Sequence, residues 1–173
     1  MAQTNIILTG FMATGKTTVG RLLADRLGYE FVDTDQLIEA RSGCRIPEIF
    51  REQGEAAFRA LEAEVARELG GREGLVVSTG GRLMLDPDNA AALGRNGRVF
   101  CLVATPGDIL DRVAQDAGHP RPLLEAANPL ERIVELLQTR QPDYDRFTPF
   151  DTSGRSAEEV SAGIAALLAD TAA

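Results

Sequence analysis

The stretch "GFMATGKTT" at residues 10–18 constrains the fold more than any other part of the sequence. It follows the apolar run "NIILT" and precedes "VGRLLADRLG", whose apolar residues recur at helical spacing, so it should join a strand to a helix. Gly10, Gly15, Lys16 and Thr17 satisfy the pattern G-x-x-x-x-G-K-[ST] in the strand–turn–helix context that this pattern requires. The stretch therefore predicts a P-loop, in which backbone N–H groups and a helix N-terminus surround phosphate oxygens.

P-loop chemistry gives the side chains of this stretch separate tasks. Lys16 should reach the β and γ phosphates of a nucleotide, and the Thr17 hydroxyl can ligate Mg²⁺. The other nucleotide contacts that we predict within the loop are Gly10, Ala13, Thr14, Gly15 and Thr18. The alternative is an ordinary glycine-containing turn that carries a solvated lysine.

The rest of the chain alternates short apolar runs with helical periods, which is typical of βαβ units and a mostly parallel sheet in an α/β fold. Candidate strands span residues 5–9, 30–33, 75–79, 98–103 and 149–152. Residues 46–69 keep helical spacing, with Gly54 as a break between two consecutive helices, and a last helix is predicted over 156–169. A length of 173 residues suits one domain, which we expect to cover 1–173.

Charge and apolar run lengths limit the partners of this chain. The formal net charge of −8 should repel nucleic acid and anionic lipid, so we expect no nucleic-acid partner and no membrane partner. No apolar run reaches the length of a membrane span, and the N-terminus lacks the basic region and cleavage site of a signal peptide. We expect a cytoplasmic protein and a monomer.

The second predicted strand ends in "FVDTD", which places Asp33 and Asp35 at the carboxyl end of the sheet, near the phosphate loop. One carboxylate could hold a magnesium-bound water while the other orients an acceptor hydroxyl. The competing interpretation is that Asp33 or Thr34 simply N-caps the following helix. The sequence has no "NKxD" motif, which argues against a GTPase.

Six stretches, taken in order, resemble the shikimate kinase family. They are "GFMATGKTTVG", "FVDTD", "IPEIFREQGEAAFRALE", "STGG", "RPLL" and the arginine of "LLQTRQPDY". The resemblance implies a P-loop kinase fold of three α/β/α layers, like that of nucleoside monophosphate kinases. A central five-stranded parallel sheet, a substrate-binding insertion near 33–62 and a lid near 115–125 are expected. The implied reaction transfers the γ-phosphoryl group of ATP to the 3-hydroxyl of shikimate, with Mg²⁺ as cofactor.

Family resemblance also assigns roles to the acidic pair and to two glycines. Asp35 resembles the carboxylate that hydrogen-bonds the acceptor hydroxyl and favours its deprotonation, and Asp33 resembles the acid of the magnesium site. Gly80 and Gly81 follow the third strand, where the family brings backbone N–H groups against the substrate. A plain turn is the alternative for these glycines.

Two arginines resemble the family's partners of the shikimate carboxylate, namely Arg59 and Arg140. A planar guanidinium suits this task because it can bind a carboxylate through two parallel hydrogen bonds. Each arginine also has a simpler interpretation. Arg59 could form ion pairs with glutamates one helical turn away, and Arg140 could compensate the dipole at a helix C-terminus.

Three further arginines are predicted around the nucleotide. Arg121 resembles the lid arginine that stabilises charge on the transferring phosphoryl group, while Arg112 and Arg155 are expected to border the adenine. The sequence departs from the family pattern at Ala13 and at Arg82, because glycine is usual at both positions. Arg82 could crowd the substrate pocket or point away from it.

The alternatives to a shikimate kinase remain open on the residues alone. Another small P-loop kinase that acts on gluconate or on a nucleoside monophosphate would share most of these features. A catalytically silent nucleotide-binding module would keep the fold and lose the chemistry. Arg82 favours the silent module, whereas Lys16, Asp35 and Arg121 argue against it.

Overall fold

The computed structural model describes residues 3–116, 124 and 127–170. These residues form five strands, which are β1 (Asn5–Gly10), β2 (Glu30–Asp33), β3 (Leu75–Ser78), β4 (Gly97–Val103) and β5 (Thr148–Asp151). They also form seven α-helices, which are α1 (Lys16–Leu27), α2 (Thr34–Ser42), α3 (Ile46–Leu69), α4 (Pro87–Gly94), α5 (Pro106–Gln115), α6 (Pro129–Tyr144) and α7 (Ala157–Asp170). A short 3₁₀ helix covers Leu83–Leu85.

The five strands make one parallel sheet in the order β2-β3-β1-β4-β5. The central strand β1 pairs with β3 on one side and with β4 on the other, so that Ile7 lies opposite both Val77 and Val99. Parallel neighbours need crossover connections, which the intervening helices provide. The predicted parallel α/β fold is confirmed, and each predicted strand agrees with the structure to within one residue at either end.

Helices cover both faces of the sheet because successive strand residues point to opposite sides. On one face, Ile7 lies in a buried apolar cluster with residues of α3 and α4. On the other face, Ile6 and Leu8 lie in a cluster with residues of α1 and α7. A third cluster around Cys101 joins α5 and α6. This arrangement confirms the predicted three layers and leaves the carboxyl ends of the strands available for a site.

Helix α3 contains the break that the sequence predicted. Gly54 has φ 86° and ψ 170°, which is not a helical conformation, so the helix consists of two pieces joined at this residue. A positive φ favours glycine because it has no Cβ. The second piece begins directly after Gly54 and carries Arg59, so the kink sets the direction from which this arginine approaches the sheet.

The segment predicted to form the lid lies between α5 and α6. Most of the range 115–125, including Arg121, falls outside the residues that the structure describes. The last helix runs over Ala157–Asp170, one residue later than predicted. None of the helices in the described part of the chain is both long enough and apolar enough to span a bilayer.

Candidate active site

A cavity of about 730 Å³ opens where the P-loop, the carboxyl ends of β2 and β3, and helix α3 meet. Open parallel sheets bind ligands at this edge, where strand order reverses. Most of the predicted site residues line the cavity, and they come from five separated parts of the sequence. They are Ala13, Gly15, Lys16, Thr17, Thr18, Asp33, Asp35, Arg59, Gly80, Gly81 and Arg140.

The P-loop owes its shape to its two glycines. Gly15 has φ 94° and is the N-cap of α1, where no side chain of the described residues forms a cap, so the first N–H groups of the helix remain available to an anion. Gly10 has φ 131°, and a Cβ at this position would collide with the carbonyl oxygen of Leu102. Lys16 Nζ donates to the carbonyl oxygens of Gly10 at 2.9 Å and of Phe11 at 2.7 Å, so the ammonium group lies over the loop.

Hydroxyl and carboxylate oxygens meet at the start of α1. The Thr17 hydroxyl donates to Asp33 Oδ2 at 2.9 Å and lies 3.5 Å from the Ser78 hydroxyl. The other oxygen of Asp33 accepts from the backbone N–H groups of Asp35 and Gln36, so Asp33 caps α2 as well. The capping and metal-binding interpretations are therefore compatible, because each uses a different oxygen of one carboxylate.

This donor set fits Mg²⁺. The ion prefers oxygen ligands, and it usually binds through one or two carboxylates together with water and substrate phosphates. No group of three or more His, Cys, Asp or Glu residues in the described ranges could hold a metal ion by itself. A metal at Thr17 and Asp33 would thus depend on the nucleotide for further ligands.

Asp35 is the most perturbed acid of the cavity. Burial, followed by repulsion from Asp33 and from Glu62, raises its pKa from 3.8 to about 6, against the opposing effect of Lys16. Its Oδ1 atom is buried and has no hydrogen-bond partner among the described residues. A Cβ at Gly80 would lie 2.5 Å from this oxygen, so a glycine is required for the carboxylate to occupy its position.

Arg59 is held by two glutamates of α3. Its Nε and Nη2 donate to one oxygen of Glu55 at 3.2 and 3.0 Å, and its Nη1 donates to Glu62 at 2.6 Å. Glu62 is buried, and this burial raises its pKa against the opposing effect of Arg59. A guanidinium has five N–H donors, so these three bonds leave one on each terminal nitrogen, enough for a bidentate carboxylate. The predicted helix ion pair exists and still leaves Arg59 able to bind a ligand.

Arg140 enters the same cavity from α6. Its side chain is buried, its guanidinium lies 5.3 Å from the centroid of the Phe11 ring, and no carboxylate of the described residues pairs with it. A buried guanidinium without a carboxylate partner is suited to an anionic ligand. Tyr144, one turn later, donates its hydroxyl to the Gly81 carbonyl at 3.0 Å and so ties α6 to the glycine pair.

The remaining predicted residues that the structure describes lie outside the lining of this cavity. Arg112 donates to the Ala13 carbonyl at 3.3 Å and to Thr152, which ties the P-loop to the segment after β5. Arg155 is exposed, with its guanidinium 5.7 Å from the centroid of the Phe150 ring. Thr14 is buried and donates to the Phe11 carbonyl at 2.8 Å, so it braces the loop internally.

Three residues of the site were missed by the sequence analysis. Ser78 is paired in register with Asp33 across β2 and β3, which only the strand order reveals. Tyr144 lies four residues after Arg140 on one helix, a spacing that could have indicated a shared task. Glu62 is one of the glutamates expected to pair with Arg59, and the sequence did not indicate that its burial also makes it part of the cavity wall.

The fold and the site together define a small-molecule kinase of the P-loop class, built like a nucleoside monophosphate kinase. A sequence model described as shikimate kinase matches residues 12–169 of the chain. The shikimate kinase of Thermus thermophilus is 48% identical over 158 residues, which cover 91% of this chain and 85% of that one. This chain belongs to the shikimate kinase family, and its P-loop therefore serves an ATP-dependent kinase.

Solved structures agree with this assignment. The structure of the shikimate kinase from Acinetobacter baumannii in complex with shikimate has a TM-score of 0.88 at 37% identity and covers 98% of this chain and 94% of that one. A gluconokinase from Sinorhizobium meliloti has a TM-score of 0.60 at 18% identity, covering 97% of this chain and 95% of that one. At that identity the likeness to the gluconokinase shows the shared fold alone.

Proposed function

We propose that this enzyme transfers the γ-phosphoryl group of ATP to the 3-hydroxyl of shikimate, giving shikimate 3-phosphate and ADP. The observation that carries the proposal is a single cavity that holds a P-loop lysine, a buried carboxylate and two arginines able to bind an acid. Shikimate offers a carboxylate and a ring hydroxyl to these groups. The complex of the Acinetobacter baumannii relative with shikimate supports the choice of acceptor.

In this proposal Arg59 and Arg140 bind the shikimate carboxylate. Arg59 contributes the two N–H groups that its glutamate partners leave over. No carboxylate of the described residues pairs with buried Arg140, so the shikimate carboxylate would be its anionic partner. Backbone groups of Gly80 and Gly81 border the ring. Charge-assisted hydrogen bonds of this kind contribute about 1.5 to 3 kcal/mol each, so the two arginines fix the orientation of the acceptor.

Asp35 then accepts the proton of the attacking hydroxyl. A pKa of about 6 leaves the carboxylate ionised at neutral pH and still basic enough to take a proton. Lys16 leaves its carbonyl partners and donates to the phosphates, where the negative charge of the transition state is spread. Thr17 and Asp33 would hold Mg²⁺, which when bound neutralises charge on the phosphates.

The family resemblance supports the roles that we propose for the nucleotide-binding residues, the lid and the acceptor-binding region. Gly10, Ala13, Thr14, Gly15 and Thr18 form the nucleotide loop, and Arg112 and Arg155 border the adenine. Arg121 acts from a lid near 115–125 in the same proposal, and residues near 33–62 form the acceptor-binding region of one domain over 1–173. We also propose that the enzyme is cytoplasmic and monomeric. Sedimentation of the purified chain can check the monomeric state.

Release of ADP from Mg-ATP tests the acceptor directly. Shikimate should stimulate ADP release, whereas gluconate and nucleoside monophosphates should not. Lys16→Ala should nearly abolish the stimulated rate while circular dichroism stays unchanged, because the lysine acts on the transferring phosphates. Stimulation by gluconate alone would identify another acceptor, and no stimulation by any compound would favour a silent nucleotide-binding module.

A further inference from the structure

Arg82 is a charged residue of the cavity wall to which the proposed function gives no role. It follows the glycine pair after β3, lines the cavity and keeps 55% of its side chain exposed. Its backbone has φ −120° and ψ −6°, a conformation open to residues other than glycine. Arginine is therefore accommodated here without backbone strain, and its role must come from its side chain.

The side chain of Arg82 is turned toward α3. Its Nη1 donates to Glu55 Oε1 at 3.3 Å, and this is the same oxygen that accepts two N–H groups from Arg59. Glu55 thus bridges two guanidinium groups on one wall of the cavity. The bridge also joins the loop after β3 to the α3 piece that begins after Gly54.

Arg82 changes the net charge of the cavity wall around Arg59. Glu55, Glu62, Arg59 and Arg82 carry two negative and two positive charges, so the cluster is neutral. Without Arg82 the same cluster would carry a net charge of −1, which disfavours an approaching carboxylate. Arg59 most strongly holds the pKa of Glu55 below its usual range, and Arg82 adds to this effect. Arg82 also opposes the rise in the pKa of Glu62.

We propose that Arg82 is a positioning residue that acts through Glu55 on Arg59 and strengthens binding of the acceptor's carboxylate. Because Glu55 also pairs with Arg82, it neutralises less of the positive charge of Arg59. The contact with Arg82 also fixes the position of Glu55, which orients Arg59. This inference rests on the proposed function, since it assumes an acceptor bound by Arg59.

Steady-state kinetics on Arg82→Gln and Arg82→Lys test the proposal. Exposed ion pairs have modest effects, so Arg82→Gln should raise the KM for shikimate about two- to fivefold, with kcat and the KM for ATP unchanged. Arg82→Lys keeps the charge and should restore most of the affinity. The effect should shrink at high salt because the pair is exposed. Arg72→Gln is the matched control, since the Arg72 side chain is 40% exposed, pairs with Glu30 and does not line the cavity.

A double-mutant cycle with Glu55→Gln separates a path through Glu55 from a direct contact. The effect of Arg82→Gln on the KM for shikimate should become clearly smaller when Glu55 is already replaced, leaving only the direct effect of the Arg82 charge. An unchanged KM in Arg82→Gln, or an equal effect with and without Glu55, would overturn the inference. If the unaltered enzyme showed no shikimate-dependent turnover, that result would contradict the proposed function itself. A shikimate-active enzyme that is indifferent to Arg82 would refute only this inference.

Discussion

Replacing Asp35 by asparagine should stabilise the folded protein while it removes the proposed catalytic base. The pKa of Asp35 is about 6 in the folded state, compared with 3.8 for an unperturbed group. Between these values the folded protein keeps a proton that the unfolded chain has released, so the stability of the folded state falls as pH rises from about 4 to about 6. A shift of about 2 pKa units corresponds to about 3 kcal/mol of lost stability, and this loss is complete above pH 6.

The free energy of unfolding, measured by urea denaturation without metal or nucleotide, tests this magnitude. Asp35→Asn should be about 3 kcal/mol more stable than the unaltered protein at pH 7.5, and about half of that gain should remain at pH 5. The same difference should raise Tm by about 6 to 12 °C for a chain of this size. Asp25→Asn, an equal charge change on the exposed side of α1, should give no such gain. A variant that is less stable, or whose gain does not depend on pH, would show that burial does not raise the pKa of Asp35 in the folded protein.

Three further substitutions test individual contacts. Gly80→Ala should lower kcat about 100-fold with little change in the KM for ATP, because the new methyl group would lie 2.5 Å from the Asp35 carboxylate and displace it by about 1 Å. Gly94→Ala, where an added methyl group meets nothing within 4 Å, is its control, and equal kcat values in both variants would exclude the steric role. Arg59→Lys should raise the KM for shikimate about 10- to 100-fold, since lysine lacks the planar fork, and an unchanged KM would remove Arg59 from the acceptor site. Ala13→Gly should stabilise the fold by about 0.5 kcal/mol in urea denaturation, because Ala13 has φ 59°, and a loss of stability would argue against strain in the loop.

The sequence predicted the parts of the fold that depend on local chemistry. The glycines of the P-loop and Gly54 are needed for backbone conformations with positive φ, so their positions could be identified from the residues alone. The parallel α/β fold followed from alternating apolar runs and helical periods, whereas the three layers were implied by the family resemblance. Asp33 illustrates a limit, because the pattern suggested either a cap or a metal ligand, whereas in the structure one oxygen caps α2 and the other accepts from the Thr17 hydroxyl.

Contacts between distant segments could not be predicted from spacing. The approach of Gly80 to Asp35 depends on the pairing of β2 with β3, and the tie from Tyr144 to Gly81 depends on how α6 packs. Burial of Glu62 likewise follows from the direction that α3 takes after its kink. The position of Arg82 was left undecided because its partner, Glu55, lies 27 residues away in the sequence. Such contacts become visible only once the elements are assembled.

In the proposed reaction, phosphate from ATP passes to a hydroxyl group which Asp35 activates while arginines hold the acceptor's carboxylate. Product analysis by ³¹P and ¹H NMR, with the enzyme, Mg-ATP and shikimate, tests this claim most directly. One equivalent of ADP should form for each shikimate 3-phosphate, with little inorganic phosphate released. ADP accompanied only by inorganic phosphate, or a phosphate ester at another hydroxyl, would contradict this claim.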